Sequence, residues 1–147
     1  MSHCLKVKLS AFEKIINEKI KLQPYVVEWI DYVKKFNLKH IVSGGFTYFV
    51  DFVRNTLQMD HAYANELQMI DGVLTGKLYG DIINAEKKAN IIKSLTDQYG
   101  FKSDEVISIG DGANDLLMLK ESGLSISMHG KPILNDYVDW TVRQNYF

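Results

Sequence analysis

The chain has 147 residues, the usual size of one domain, and its hydrophobic fraction of 46% is enough for one core. The formal net charge of −1 argues against binding to nucleic acid or to a membrane surface through bulk charge. The only cysteine, Cys4, cannot form an internal disulfide, which is consistent with a reducing, cytoplasmic location. No apolar run approaches the roughly 18 residues of a membrane span, and residues 1–10 lack the apolar core of a signal peptide.

The N-terminal part of the chain is predicted to be mainly helical. Residues 4–9 alternate between polar and apolar and are compatible with either a short strand or the end of a helix. Ser10 and Glu13 have the spacing of a capping box, and apolar residues follow at helical spacing. Pro24 then suits the first turn of a second helix.

A first unit of strand, turn and helix follows. Residues 40–42 are short, apolar and β-branched, which predicts a buried strand, and residues 46–57 carry a helical stripe. The turn between them is predicted at residues 43–45, Ser-Gly-Gly. Small residues let a phosphate approach the backbone closely, and Ser43 adds a hydroxyl. The alternative is a turn that uses glycine only for its backbone freedom.

Further strands are predicted on both sides of the remaining helices. Residues 62–80 have the pattern of a hairpin, interpreted as an excursion from the main sheet, with Asp71-Gly72 as its tight turn. Residues 124–128 alternate as a strand does, and residues 139–142 could form a last, edge strand.

A helix with an inward-facing lysine is predicted after the hairpin. Asn84 can cap this helix, and Lys88 falls on the same stripe as its apolar residues. A lysine that faces inward near a helix start needs an anionic partner, which a bound phosphate could supply. The alternative is a lysine whose charged end reaches back to solvent.

The most informative stretch is residues 106–115. It begins as a buried strand, passes through Gly110-Asp-Gly-Ala-Asn-Asp115 and enters an apolar helix at residues 116–119. Ligands bind at such strand ends in open α/β sheets. The free N–H groups of the helix start favour an anion, and Asp111 can hold a metal cation. The alternative is a turn rich in Asp and Asn that caps a helix.

These features, in this order, suit the binding of a phosphate together with a divalent metal. They resemble the haloacid dehalogenase superfamily of phosphatases and, within it, the bacterial phosphoserine phosphatase family. The matching segments are residues 42–47 (VSGGFT), 62–67 (AYANEL), 71–76 (DGVLTG) and 110–116 (GDGANDL). The resemblance implies an α/β fold, a Rossmann-like three-layer sandwich with a mainly parallel sheet, and Mg²⁺-dependent hydrolysis of O-phospho-L-serine or another small phosphorylated metabolite.

The resemblance also implies a role for each candidate site residue. Ser43 and Gly44 would bind the phosphate, and Lys88 would stabilise the phospho-enzyme. Asp111 would ligate Mg²⁺, Asn114 would contact the substrate or phosphate, and Asp115 would support the metal shell.

The sequence departs from the family in one large respect. Such enzymes carry an Asp-x-Asp-x-Thr strand whose first aspartate is the nucleophile and whose second is the general acid and base. No two aspartates of this chain are two positions apart. We therefore expect the isolated chain to be inactive, and the alternative to an enzyme is a non-catalytic remnant or regulatory pseudo-phosphatase that binds phosphate and Mg²⁺. Residues 1–23 would be the remnant of a helical cap, and residues 24–147 the core domain.

In the family the missing strand is central, between the strands that end near Ser43 and Gly110. Three outcomes are open for this chain. The two flanking strands could pair directly, residues 4–9 could fill the gap, or a second copy could dimerise with the exposed strand edges.

Overall fold

The computed structural model describes residues 9–35 and 38–143. In this part of the chain, strands and helices are interspersed from residue 40 onward, as in an α/β protein, with two consecutive strands at the hairpin. The helices are α1 (Leu9–Lys19), α2 (Val26–Val33), α3 (Thr47–Leu57), α4 (Ala85–Tyr99) and α5 (Leu116–Lys120). The strands are β1 (His40–Phe46), β2 (His61–Ile70), β3 (Val73–Tyr79), β4 (Ile107–Gly110), β5 (Leu124–Met128) and β6 (Trp140–Val142).

The chain divides into two compact units, Met1–Ile82 and Ile83–Phe147. This boundary was not indicated by the sequence, whose length suggested one domain. It falls after the hairpin and just before the helix that Asn84 caps. The predicted division into a cap segment, residues 1–23, and a core, residues 24–147, stays a prediction.

The first unit contains a three-stranded sheet in the order β1–β2–β3. β2 is parallel to β1 through its first half and antiparallel to β3 through its second half. Asp71 and Gly72 both have positive φ, as the tight hairpin turn requires. The predicted hairpin is confirmed, but its first strand also belongs to the parallel part of the sheet, which alternation alone could not indicate.

Strand β1 is longer than predicted. The sequence suggested a strand that ends at Val42 and a turn at residues 43–45, whereas the backbone stays extended to Phe46. Neither Gly44 nor Gly45 is among the glycines with positive φ. Because the backbone is extended at these residues, the predicted turn is wrong. The Ser-Gly-Gly segment is the irregular end of a strand, and α3 begins directly after it.

Aromatic packing joins α1 to α3 in this unit. The ring of Phe12 is 8% exposed, and its centroid lies 5.3 Å from that of Tyr48 and 5.0 Å from that of Phe49. Val50 and Leu57 of α3 are buried as well. The helical stripe that the sequence shows is therefore the face of α3 that packs into the core.

The second unit contains a parallel sheet in the order β4–β5–β6. The predicted strand at residues 124–128 and the predicted last edge strand are both confirmed. Helix α5 is only five residues long and follows a 3₁₀ turn at Ala113–Asp115. Leu119 of this helix and Leu134 are almost fully buried and form the centre of the unit.

β1 and β4 are edge strands of their respective sheets among the described residues. The two strands belong to different units, and the first of the three predicted outcomes, their direct pairing, stays a prediction. The second outcome rests on residues 4–9, which lie almost entirely outside the described residues. The third outcome, a second copy at the free edges, stays a prediction. Within residues 9–35 and 38–143, no helix has the length and apolarity needed to cross a bilayer.

Candidate functional site

The predicted phosphate segment of the first unit has a defined geometry. The N–H of Gly45 donates a hydrogen bond to Ser43 Oγ at 3.0 Å. The carbonyl of Gly44 accepts one from the side-chain amide of Asn65 at 2.8 Å. Gly45 leaves little room beside the hydroxyl, because a Cβ there would lie 3.2 Å from Ser43 Oγ. The Gly45 backbone therefore lies close to the Ser43 hydroxyl, and the predicted approach of a phosphate to this segment stays a prediction.

A hollow of about 350 Å³ lies beside this segment, within the first unit. Ile41, Ser43 and Gly45 line it from alternate positions of β1, so they share one face of the strand. The remaining lining residues are apolar and come from α3, from the last residue of β1 and from the residue after α1: Phe49, Val50, Val53, Phe46 and Ile20. Of the described residues that line the hollow, Ser43 alone has a polar side chain.

Lys88 of the second unit faces inward, as predicted. Asn84 caps α4 by accepting a hydrogen bond from the Lys87 N–H at 2.8 Å, which places Lys88 in the first turn. The Lys88 side chain is 6% exposed, and its Nζ lies 2.6 Å from Asp115 Oδ1. The alternative of a lysine that reaches back to solvent is therefore wrong.

Asp115 connects Lys88 to the loop that follows β4. While Oδ1 accepts from Lys88, Oδ2 accepts from the N–H groups of Asp111 and Gly112, each at 3.1 Å. Burial alone would raise the pKa of Asp115. The hydrogen bond and charge of Lys88 and the two N–H donors outweigh burial, so its pKa lies below the ordinary value of 3.8. Asp115 is thus an ionised, buried anchor for both the lysine and the loop.

The glycines of the loop make room for these side chains. A Cβ at Gly110 would lie 2.6 Å from Asp115 Cβ and 2.9 Å from its carboxylate, so alanine there would displace the anchor. A Cβ at Gly112 would collide with Asn114 Oδ1. The pattern Gly-Asp-Gly-x-Asn-Asp therefore describes a tightly packed loop as well as a set of polar groups.

Asp111 and Asn114 are exposed, in contrast to Asp115. The backbone of Asp111 is held on both sides, because its N–H donates to Asp115 and its carbonyl accepts from the Lys131 N–H at 3.0 Å. One exposed carboxylate on a fixed backbone fits Mg²⁺, which usually keeps several waters and takes one or two protein carboxylates. In the described ranges no three His, Cys, Asp or Glu side chains converge into a larger metal cluster.

The six predicted site residues thus fall into two groups, one in each unit. Ser43 and Gly44 are adjacent in the first, and the structure links Lys88, Asp111 and Asp115 in the second. The N–H groups of Asp111 and Gly112 donate to Asp115, and the predicted binding of an anion at the helix start stays a prediction. The sequence reasoning also missed the contact of Asn65 with Gly44, for which no local pattern gives a signal.

Comparison with known proteins gives a consistent family assignment. Residues 7–146 match the family described as haloacid dehalogenase-like hydrolase. The chain is 42% identical over 118 residues to a phosphoserine phosphatase of Haemophilus influenzae, covering 80% of this chain and 38% of that protein. It is 38% identical over 144 residues to a phosphoserine phosphatase of Idiomarina loihiensis, covering 97% of this chain and 65% of that protein.

Solved structures of similar proteins have the same fold. A probable phosphoserine phosphatase from Vibrio cholerae, in unliganded form, superposes with a TM-score of 0.87 at 33% identity, over 94% of this chain and 43% of that one. A phosphoserine phosphatase in apo form also gives a TM-score of 0.87, at 31% identity, over 96% of this chain and 70% of that one. The chain thus spans between 38% and 65% of the length of the two sequence relatives.

Proposed function

The chain belongs to the haloacid dehalogenase-like hydrolase family, and from that premise we propose that it carries the phosphate- and Mg²⁺-binding part of a phosphoserine phosphatase. The substrate class is a small phosphorylated metabolite, with O-phospho-L-serine as the specific candidate. The relatives named phosphoserine phosphatase support this choice, because they match nearly the whole of this chain.

The observation that carries the proposal is the buried ion pair of Lys88 and Asp115, tied to the backbone of Asp111. Desolvating two charges is costly, and apolar residues of similar size often serve stability as well or better. A buried pair that also fixes a loop with an exposed carboxylate is better explained by a binding site.

We propose a role for each residue of the two groups. The Ser43 hydroxyl and the Gly44 backbone hydrogen-bond phosphate oxygens, and Asn114 contacts the substrate. Lys88 supplies positive charge. Its ammonium has three N–H donors, of which the bond to Asp115 uses one. Asp111 holds Mg²⁺, which would neutralise phosphate charge when bound, and Asp115 keeps Asp111 and Lys88 in place.

We further propose that the 147 residues alone do not turn over substrate. The sequence holds no Asp-x-Asp pair, so it lacks the nucleophile and the general acid and base that the family resemblance requires. The second candidate function, non-catalytic binding of phosphate and Mg²⁺, rests on the same observation.

The test is release of phosphate from O-phospho-L-serine by the pure chain in the presence of Mg²⁺. We expect phosphate to be released no faster than it is from O-phospho-L-serine in the absence of the protein. Turnover that disappears in Lys88→Met would overturn the proposed inactivity and establish an enzyme with a different nucleophile.

We also propose a cytoplasmic location, which the single cysteine favours.

We further propose a homodimer formed through exposed strand edges. Among the residues that the structure describes, β4 is the edge strand of its sheet and has no charged side chain, and Ile107 at its start is 54% exposed. Uncharged edges of this kind recruit further strands. Ile107→Lys should lower the mass measured by light scattering to that of a monomer. Ile133→Lys is the matched control, because Ile133 is also 54% exposed but lies outside the sheet. A monomeric mass for the unaltered chain contradicts the dimer.

A further inference from the structure

We infer that Asn65 is the positioning residue for the phosphate-binding segment at Ser43 and Gly44, an inference that rests on the proposed function. Asn65 lies on β2, is 6% exposed, and its side-chain amide donates to the Gly44 carbonyl at 2.8 Å. No part of this contact could be inferred from the spacing of the two residues, which are 21 positions apart.

The irregular pairing of β1 with β2 explains why a side chain is needed there. Val42 pairs with Tyr63, and the next pair is Phe46 with Asn65. Three residues of β1, at positions 43–45, therefore lie opposite the single residue Ala64 of β2. Such a bulge interrupts the backbone ladder, so the segment needs hydrogen-bond partners other than the β2 backbone. The Asn65 amide supplies one of them to Gly44.

This contact also orients Ser43. In a trans peptide the C=O and the following N–H point in opposite directions. Asn65 holds the Gly44 carbonyl, so the N–H of Gly45 is directed away from Asn65, and it donates to Ser43 Oγ at 3.0 Å. The peptide between Gly44 and Gly45 is thus held between the Asn65 amide and the Ser43 hydroxyl.

The consequence is chemical as well as geometric. Ser43 Oγ already accepts a hydrogen bond from Gly45, which directs its own hydrogen elsewhere as a donor. A hydroxyl that already accepts one hydrogen bond and still has its own hydrogen to donate is suited to an anion such as phosphate. Asn65 therefore acts on phosphate through Ser43 and Gly44 and does not itself contact it.

The experiment measures the segment and the affinity separately, in the full chain and three variants. Asn65→Ala removes the donor, Asn65→Asp replaces it with an acceptor, and Thr75→Val is the control. Thr75 donates a part-buried hydrogen bond to the side chain of Gln68 in the same sheet. We expect Asn65→Ala to weaken binding of inorganic phosphate about tenfold in calorimetry, Asn65→Asp to weaken it further, and Thr75→Val to leave it unchanged despite a lower melting temperature.

Hydrogen exchange and NMR shifts of the Gly45 amide test the positioning without any ligand. We expect the amide to be protected in the unaltered chain and in Thr75→Val, and to lose protection in Asn65→Ala. If the unaltered chain binds no phosphate, the proposed function fails, while these amide data still decide the role of Asn65. An unchanged Gly45 amide in Asn65→Ala overturns the inference. Should the variant not fold, an Asn65 side-chain amide that exchanges rapidly in the unaltered chain overturns it equally.

Discussion

Asp111 and Asp115 show how two carboxylates of one loop obtain different properties from their surroundings. Asp111 is exposed and has only its backbone fixed, whereas Asp115 is buried and accepts three hydrogen bonds, one of them from Lys88. The exposed group is suited to exchange water and bind a cation. The buried group is suited to hold neighbouring parts of the chain in place.

The ion pair leads to a prediction about stability. Lys88→Met leaves the Asp115 carboxylate buried without its cation, which should lower the free energy of unfolding by about 3 kcal/mol. Asp115→Asn should also destabilise, and the double variant should lose less than the sum of the two single losses, because the residues are in direct contact. Urea unfolding measures all three. Additive losses would show that the two side chains do not interact.

Gly45 provides a second prediction at this scale. Its backbone is extended, so alanine is tolerated by the chain, but the new Cβ would lie 3.2 Å from Ser43 Oγ and displace the hydroxyl. Gly45→Ala should therefore weaken phosphate binding about fivefold with little change in melting temperature. In a Ser43→Ala background the same substitution should have no further effect on phosphate affinity. A full additional effect there would mean that Gly45 acts independently of Ser43.

At the scale of elements, the pairing of β1 with β2 begins at His40 and His61. The two imidazole rings stack with centroids 5.2 Å apart, and Asp60 and Lys39 lie beside them as an ion pair. Burial lowers the pKa of His40 below its ordinary value of 6.5. His61 and Lys39 lower it further, while Asp60 opposes them. His40 therefore favours the neutral form in the folded state.

This direction fixes the sign of a pH dependence. As pH falls through 6.5, His40 of the unfolded chain takes up a proton before His40 of the folded chain does. The unfolded state is then favoured, so stability is lost between neutral pH and the lower folded pKa, by at most about 1.4 kcal/mol per pH unit. His40→Phe keeps the aromatic stack and should flatten the dependence of unfolding free energy on pH between 7 and 5. An unchanged slope in this variant would exclude His40 as its source.

Particular elements show what sequence reasoning could and could not reach. Three features could be predicted: the inward orientation of the Lys88 side chain, the cap at Asn84 and the hairpin turn at Asp71-Gly72. Each follows from a pattern of residues within a few positions of one another. The true end of β1 was not, because the extended Ser-Gly-Gly segment is held by Asn65 from another strand. The occupied N–H groups of Asp111 and Gly112 were missed because a carboxylate within the loop itself binds them.

At the scale of the whole molecule, the family assignment and the missing Asp-x-Asp pair must be considered together. The sequence and the fold match phosphoserine phosphatases, whereas the 147 residues hold no Asp-x-Asp pair. Binding a phosphoryl group and attacking it depend on different residues, so one can persist without the other. The central claim is that this chain retains the first of these abilities.

The most direct test is a calorimetric titration of the chain with inorganic phosphate in the presence of Mg²⁺. The account predicts saturable binding that weakens at least about tenfold in Ser43→Ala and in Lys88→Met. It should persist in Lys93→Met, a control on the same helix whose exposed side chain pairs with Glu121 instead. Absence of saturable binding by the unaltered chain, or equal affinity in all three variants, would contradict the account.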